Sequence, residues 1–311
     1  MSAKYEVHGF CDERFSLVKE EFAKNFEHGI EVGATFAATL NGEFVVDIWA
    51  GFSDSALNKP WEKDTIVNVW STTKIMAAIC THMLADRNLL DLDATVSHYW
   101  PEFAQSGKES ILVRHLLSHQ AGLSTFDQSL SKEAIFDWDL MAKTLAAQKT
   151  DWEPGSNSGY HAFTQGFLLG ELIRRITGKT LGKFFHEEIA APLNVDFYIG
   201  LPDELESRVA EIIPPSEPRA HEPGSLAEKS NPVDLTADIA NMQEWRKAEI
   251  PAANGHSNAR SVAKILSVLA CGGEIGGIRL LSEKAIEKVY NFTRDSNQRI
   301  ISSSEVQLNL F

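Results

Sequence analysis

The chain contains 311 residues, a length that fits one large composite domain or two smaller ones. Its hydrophobic fraction of 43% and charged fraction of 23% are ordinary for a globular protein, which excludes the disordered and collagen-like classes. A net charge of −14 argues against a basic surface for nucleic acid or an anionic membrane, so we expect neither as a partner.

The spacing of the cysteines and the length of the apolar segments indicate the cellular compartment to expect. Cys11, Cys80 and Cys271 lie far apart and form neither a metal-binding pattern nor a disulfide framework. The first residues do not resemble a signal peptide, and no later run reaches the ~18 apolar residues of a membrane span. We therefore predict a cytoplasmic protein.

The first predicted elements are a helix, a hairpin and a second helix. Apolar residues recur at three- and four-residue spacing over about Glu13–Asn25, which predicts an amphipathic helix. The segment Gly33–Ala50 is rich in β-branched and aromatic residues and is split by Asn41-Gly42, the sequence of a tight hairpin turn. Ser71–Asn88 is apolar on nearly every side and lacks glycine and proline, as expected of a helix buried in the core.

The rest of the chain is mostly helical in pattern. From Leu89 to about Ala240, helical segments alternate with turns, and five prolines predict a long loop over Ile213–Pro232. A further helix over Asn258–Gly272 is followed by a short strand near Ile278 and a helix over Ser282–Tyr290. The end of the chain, 293–311, shows no strong pattern.

This order of elements predicts an α/β (α+β) fold with one composite domain. We expect residues 1–75 and 245–311 to form a discontinuous part that contains an antiparallel sheet, and residues 76–244 to form a mostly helical part. A cleft between the two parts is the expected place for a functional site.

Four Ser-x-x-Lys pairs occur in the chain: Ser16/Lys19, Ser71/Lys74, Ser129/Lys132 and Ser261/Lys264. On a helix this spacing brings the lysine amine close to the serine oxygen. Three pairs lie in surface-like or polar segments, where a solvated lysine stays charged and is a poor base. Ser71 instead opens the most apolar helix, where burial lowers a lysine pKa and the helix N-terminus offers N–H groups to an oxyanion.

Two interpretations of the Ser71/Lys74 pair remain open on this basis. In the functional one, Ser71 is a nucleophile and Lys74 is the base that activates it. In the structural one, Ser71 only caps the helix and Lys74 extends to the solvent.

The sequence around Ser71, VWSTTKIMAAIC, resembles the active-site helix of serine beta-lactamases and penicillin-binding proteins. Three later segments resemble, in the same order, the beta-lactamase-related family, in particular family VIII carboxylesterases and class C-like proteins. They read LLDLDATVSHYWPEF, ILVRHLLSHQAGL and WEPGSNSGYHAFTQGFLLGELIRRITGKTL. The resemblance implies a beta-lactamase/transpeptidase-like fold, with an antiparallel sheet flanked by helices and a mostly helical part.

The resemblance also implies roles for particular residues. Tyr160 matches the family tyrosine that faces the serine and acts as a second general acid or base, although alanine stands where beta-lactamases have the asparagine of Tyr-x-Asn. The alternative for Tyr160 is a buried core tyrosine with a satisfied hydroxyl. We expect Trp70 and His161, which adjoin Ser71 and Tyr160, to line the substrate pocket. His119 is expected to be a structural histidine that packs a turn.

One family element has no recognisable match. Relatives carry a Lys/His-Thr/Ser-Gly or Trp-Gly-Gly-like strand that closes the pocket and gives an N–H to the oxyanion hole, and they continue with further strands of the sheet. Residues 293–311 look unlike what usually follows in the family. From this we expect a sheet made of the hairpin and the strand near Ile278, with an exposed edge, and an oxyanion hole that lacks one donor.

The resemblance implies a serine hydrolase that acts through an acyl-enzyme, with a small ester or lactam as substrate. A carboxylesterase with weak beta-lactamase activity is favoured, and the alternatives are an inactive relative that serves as a binding or scaffold protein and an enzyme that transfers the acyl group to an alcohol. No GxSxG elbow, phosphate loop, HExxH or GxGxxG motif is present, so we expect no metal and no other cofactor.

Overall fold

The computed structural model describes residues 5–127, 130–216, 225, 229–230 and 235–294. The loop expected over Ile213–Pro232 lies largely outside the described residues, as does Ser129 of one Ser-x-x-Lys pair. The same holds for the chain after Arg294.

The N-terminal part is a three-stranded antiparallel sheet with one helix against it. Its strands are β1 (His8–Cys11), β2 (Gly33–Leu40) and β3 (Glu43–Gly51), in the order β1-β3-β2. The predicted hairpin is confirmed, and its turn has φ +52° at Asn41 and +83° at Gly42, as a mirror-image turn requires. Phe15 and Phe22, before and within the helix α1 (Ser16–Glu27), pack on buried residues of β3.

A second small sheet lies beside the start of the next helix. It contains β4 (Val67–Asn68), β5 (Phe197–Tyr198) and β6 (His256–Ser257), with β6 paired to both of the others. The remaining strands, β7 (Glu274–Ile275) and β8 (Ile278–Arg279), pair with each other. The expectation that the strand near Ile278 extends the hairpin sheet is therefore wrong in the described structure, where β1 joins that sheet instead.

In the part of the chain that the structure describes, β1 and β2 each pair only with β3, so the sheet has two edge strands, of which the longer is β2. Phe36 and Leu40 of this strand are 40% and 46% exposed. An open groove of about 340 Å³ runs between the β2 edge and the segment that leads to the second helix.

The rest of the described structure consists of α-helices joined by loops and short 3-10 turns. They are α2 (Thr72–Asp86), α3 (Val96–Tyr99), α4 (Val113–Leu117), α5 (Trp138–Ala147), α6 (Thr164–Thr177), α7 (Leu181–Phe185), α8 (Ala191–Leu193), α9 (Gln243–Lys247), α10 (Ala259–Ala270) and α11 (Glu283–Arg294). One large apolar core surrounds α2, which packs against α6 and α7. The predicted buried helix over Ser71–Asn88 is confirmed as α2, and a mixed α+β fold is confirmed with it.

The core fixes the first turn of α2 from two sides. Nine of the fifteen residues of α2 are buried, so the helix cannot rotate or slide without exposing apolar surface. Gly166 of α6 allows the backbone of another segment to come close, because a Cβ at this position would lie 2.4 Å from the nitrogen of Ala252.

No helix in the described ranges is long and apolar enough to cross a membrane. The division into two parts at residues 75 and 245 stays a prediction.

Candidate active site

Ser71 lies in a strained turn between β4 and α2. Its side chain is exposed and makes no capping hydrogen bond to the helix. Trp70, directly before it, has φ +45°, a left-handed conformation that costs about 1–2 kcal/mol for a residue with a Cβ. The strain therefore lies at Trp70, the residue that sets the direction of the Ser71 side chain. Contacts made by the neighbouring residues must stabilise this conformation.

A hydrogen-bonded clasp holds this turn. The hydroxyl of Thr73 donates to the carbonyl of Trp70 at 2.5 Å and accepts the N–H of Gly255 at 2.9 Å. The N–H of Val69 donates to the carbonyl of Gly255 at 2.8 Å. A Cβ on Gly255 would lie 2.6 Å from the Thr73 oxygen, so only glycine fits beside the clasp. The clasp joins the turn before Ser71 to the segment that precedes β6.

Removing the clasp should destabilise the protein. In Thr73→Val the buried N–H of Gly255 loses its acceptor, and we expect the free energy of unfolding to fall by about 1–3 kcal/mol. Thr73→Ser keeps the hydroxyl and is the matched control, with an expected change of less than about 1 kcal/mol. Urea unfolding followed by circular dichroism measures both. Equal stabilities of the two variants would show that the hydroxyl contributes nothing.

Lys74 lies beneath Ser71 with its amine enclosed. The side chain is 8% exposed, and its Nζ is 3.2 Å from Ser71 Oγ. Two backbone carbonyls, those of Ala162 and Ala252, each accept a hydrogen bond from Nζ at 2.7 Å. Burial lowers the pKa of Lys74 to about 7. A neutral amine donates its two N–H groups to the two carbonyls, which leaves its lone pair directed towards the serine hydroxyl.

Tyr160 completes the group from the loop before α6. Its hydroxyl donates to Ser71 Oγ at 2.6 Å, and the Nζ of Lys74 lies 4.8 Å from the centre of its ring. Burial raises the pKa of Tyr160, and the hydrogen bond to Ser71 only partly offsets this effect. The phenol is therefore protonated at neutral pH. Because the lysine amine faces the ring and not the hydroxyl, these contacts do not favour a phenolate at Tyr160.

The two residues expected to line the pocket differ in position. Trp70 is partly exposed beside Ser71, and its ring lies 5.8 Å from that of the buried Trp245. His161 is fully buried, contrary to the expectation of a pocket residue. Its Nδ1 donates to the carbonyl of Gly159 at 2.6 Å, and its Nε2 accepts the N–H of Leu123 at 3.2 Å. Both ring nitrogens are thus engaged, and burial lowers the pKa of His161 to about 4.

Several parts of this arrangement have no signal in the sequence. The carbonyls of Ala162 and Ala252 belong to ordinary alanines, and a backbone acceptor leaves no mark on residue type. Thr73 stands within the Ser-x-x-Lys motif, at a position that the motif leaves free. Glycines in close contact are the one available clue, since Gly166 and Gly255 both stand where a Cβ would collide.

The other Ser-x-x-Lys pairs in the described ranges do not form a comparable site. Ser261 is buried, and its hydroxyl accepts the N–H of Asp196 at 2.9 Å. Ser16 is exposed at the start of α1. No group of three or more His, Cys, Asp or Glu side chains in the described part of the chain could hold a metal ion.

Comparison with known proteins decides the family. The beta-lactamase family profile matches residues 22–300, almost the whole chain. The chain belongs to the beta-lactamase family. As a member of that family it is 38% identical over 309 residues to the esterase/beta-lactamase LipL of Mycobacterium tuberculosis, an alignment that covers 94% of this chain and 70% of LipL.

Two solved structures of beta-lactamase-fold proteins are similar over most of the chain. A family VIII carboxylesterase superposes with a TM-score of 0.85 at 44% identity and covers 91% of this chain and 76% of its own. A penicillin-binding protein homologue from Caulobacter crescentus gives a TM-score of 0.84 at 40% identity over the same shares. The chain therefore spans about three quarters of the length of these relatives, and the expected beta-lactamase/transpeptidase-like fold is confirmed.

Proposed function

We propose that this beta-lactamase-family protein is a serine hydrolase, acting as a carboxylesterase on small esters through an acyl-enzyme. One observation carries the proposal: Ser71 Oγ lies within hydrogen-bond distance of both Tyr160 and Lys74. The lowered pKa of Lys74 gives it a neutral amine in part of the molecules at pH 7, which is the form a base requires. A lysine that only extended to the solvent would be exposed and charged.

In the proposed acylation step, Ser71 Oγ forms a bond to the ester carbonyl carbon while its proton passes to the Nζ of Lys74. The negative charge that develops on the carbonyl oxygen faces the N-terminus of α2, where the backbone N–H of Ser71 is the proposed donor. The tetrahedral intermediate then breaks its bond to the leaving alkoxide. The alkoxide takes a proton from Tyr160. The Lys74 ammonium, whose Nζ lies beside Ser71 Oγ as the Tyr160 oxygen does, is the proposed source of the proton that restores the phenol.

Deacylation repeats these transfers with water as the nucleophile. Water gives a proton to Lys74 and its oxygen bonds to the acyl carbon. The bond to Ser71 Oγ then breaks, and the serine oxygen takes that proton from the Lys74 ammonium, which leaves the amine neutral again. An alcohol in place of water would give an ester by the same steps. Hydrolysis and acyl transfer therefore share the acyl-enzyme and differ in the second nucleophile.

The relatives support an ester substrate. The name of LipL includes both esterase and beta-lactamase, and a structural neighbour is a family VIII carboxylesterase. The residues at this position are Tyr160, His161 and Ala162. Alanine therefore stands where the Tyr-x-Asn motif of beta-lactamases has asparagine. We therefore propose that a lactam is at most a poor substrate.

A fluorophosphonate probe tests the nucleophile directly, because it forms a stable bond only with an activated serine. We expect one adduct per folded chain, located at Ser71 by peptide mass spectrometry. Ser16→Ala, which alters another Ser-x-x-Lys serine, is the matched control and should label like the wild type. Absence of an adduct at Ser71 in the folded protein would refute the proposal.

A further inference from the structure

His119 lies behind Tyr160 and binds the residues on both sides of it. Its carbonyl accepts the N–H of Gly159 at 3.0 Å, and its ring Nδ1 accepts the N–H of His161 at 3.1 Å. The centres of the His119 and Tyr160 rings are 4.9 Å apart. His119 thus holds Tyr160 in three ways. Its carbonyl binds the residue before the tyrosine, its ring nitrogen binds the residue after it, and its ring contacts the tyrosine ring.

The backbone of His119 is unusual in a way that serves this arrangement. Its φ is +59°, in the left-handed region that residues with a Cβ seldom adopt. The turn that contains it follows α4 and is closed by a hydrogen bond from the N–H of Gln120 to the carbonyl of His115 at 2.8 Å. In the same turn, the carbonyl of Gln120 accepts a hydrogen bond from the N–H of Gly155 at 3.0 Å. The helix end therefore anchors the turn, and the turn anchors the loop that carries Tyr160.

The side-chain bond depends on the protonation of the imidazole. Nδ1 accepts a hydrogen bond only when it carries no proton, so His119 must be neutral with its proton on Nε2. Burial, followed by the nearby His161 and Lys74, lowers the pKa of His119 well below its ordinary value. The acceptor is thus maintained over the neutral pH range.

We propose that His119 is a positioning residue that fixes the Tyr160 hydroxyl on Ser71 Oγ through its hydrogen bonds to Gly159 and His161. The inference rests on the proposed function, in which Tyr160 transfers protons. Tyr160 lies outside regular secondary structure, in the loop between Asp151 and α6. Its 2.6 Å bond to Ser71 is lost if the loop moves by about 1 Å, and such displacements reduce rates by up to about 10²-fold.

Two substitutions at His119 distinguish the effect of the hydrogen-bond acceptor from the effect of the backbone conformation. Asparagine and glycine both tolerate the left-handed conformation, but only His119→Asn places an acceptor oxygen where Nδ1 lies. We expect His119→Asn to keep kcat for p-nitrophenyl acetate within about threefold of the wild type, while His119→Gly lowers kcat by about 10- to 100-fold with little change in KM. Thermal unfolding of both variants checks that they are folded.

A double-mutant cycle with Tyr160→Phe distinguishes positioning from a general loss of structure. If His119 acts through the tyrosine hydroxyl, His119→Gly causes no further loss of kcat in the Tyr160→Phe background. The same fold-loss in both backgrounds would overturn the proposal, as would equal kcat values of the Asn and Gly variants. Should His119→Gly fail to fold, His119→Leu replaces it in the cycle with the same expectation.

Labelling with the fluorophosphonate probe distinguishes a failure of the proposed role of His119 from a failure of the proposed hydrolase function. A wild type that labels at Ser71, with equally active Asn and Gly variants, would overturn only the role of His119. A wild type without label would overturn both, because Tyr160 would then have no nucleophile to serve.

Discussion

Replacing Ser71 with alanine is expected to lower kcat/KM for p-nitrophenyl acetate by roughly 10⁴- to 10⁶-fold, the range seen when a serine nucleophile is removed. The loss is large because Ser71 Oγ is the atom that bonds to the acyl carbon in the proposed mechanism, and Lys74 and Tyr160 both contact this oxygen. The measurement is steady-state hydrolysis of the purified variant at several ester concentrations, with the uncatalysed rate subtracted.

The structure offers a matched control for this variant. Ser16→Ala removes the exposed serine of another Ser-x-x-Lys pair at the start of α1 and should leave kcat/KM unchanged. If Ser71→Ala hydrolyses the ester as fast as the wild type, the hydrolase proposal fails. The binding or scaffold interpretation would then be favoured.

The part of the site that the sequence predicted is the part carried by one helix. Ser71 and Lys74 stand three residues apart, and the apolar sequence of α2 made a buried lysine one of the two open interpretations. Tyr160 lies 89 residues away from Ser71, and only the family resemblance linked the two. Composition and periodicity carry no information on contacts at such a distance.

The missed features have two physical causes. The strands β4, β5 and β6 have two residues each, too few for alternation of apolar and polar residues to be visible. His161 adjoins Tyr160 in the sequence, but the chain direction at this point turns its ring into the core, where it binds Leu123. Neighbours in sequence therefore face opposite ways, as they do in any extended segment.

Lys74 explains why the core and the site are inseparable. The same burial that lowers its pKa requires apolar neighbours on α2, and the two carbonyls that hold its amine come from segments packed against that helix. A buried amine costs stability in its charged form. The protein thus contains a destabilising group at the position where the proposed chemistry needs a base.

Replacing Lys74 with methionine should separate these two effects. We expect kcat/KM for the ester to fall by about 10³-fold or more, because no other side chain in the described structure holds a neutral amine against Ser71 Oγ. In the wild type, kcat/KM should rise with pH up to about 7 and then level off, as the amine loses its proton. Lys19→Met on α1 is the control, and we expect it to retain both the rate and its pH profile.

The stability of Lys74→Met should depend on pH with a defined sign. The pKa of Lys74 is about 7 in the folded protein and 10.5 for the free side chain, so between these values the unfolded chain binds the extra proton. The free energy of unfolding of the wild type therefore rises with pH over this window, and the full penalty is present below pH 7. Lys74→Met removes the penalty, so the free energy of unfolding of the variant minus that of the wild type should be larger, meaning a relatively more stable variant, at pH 6 than at pH 9.

The pH dependence is the decisive measurement, because methionine also leaves the carbonyls of Ala162 and Ala252 without their donor, a cost that does not vary with pH. Urea unfolding of both proteins at pH 6 and pH 9 cancels that constant cost in the difference. A difference that is the same at both pH values would mean that the lysine titrates normally in the folded protein. The amine would then be charged at pH 7, and a base for Ser71 would have to come from elsewhere.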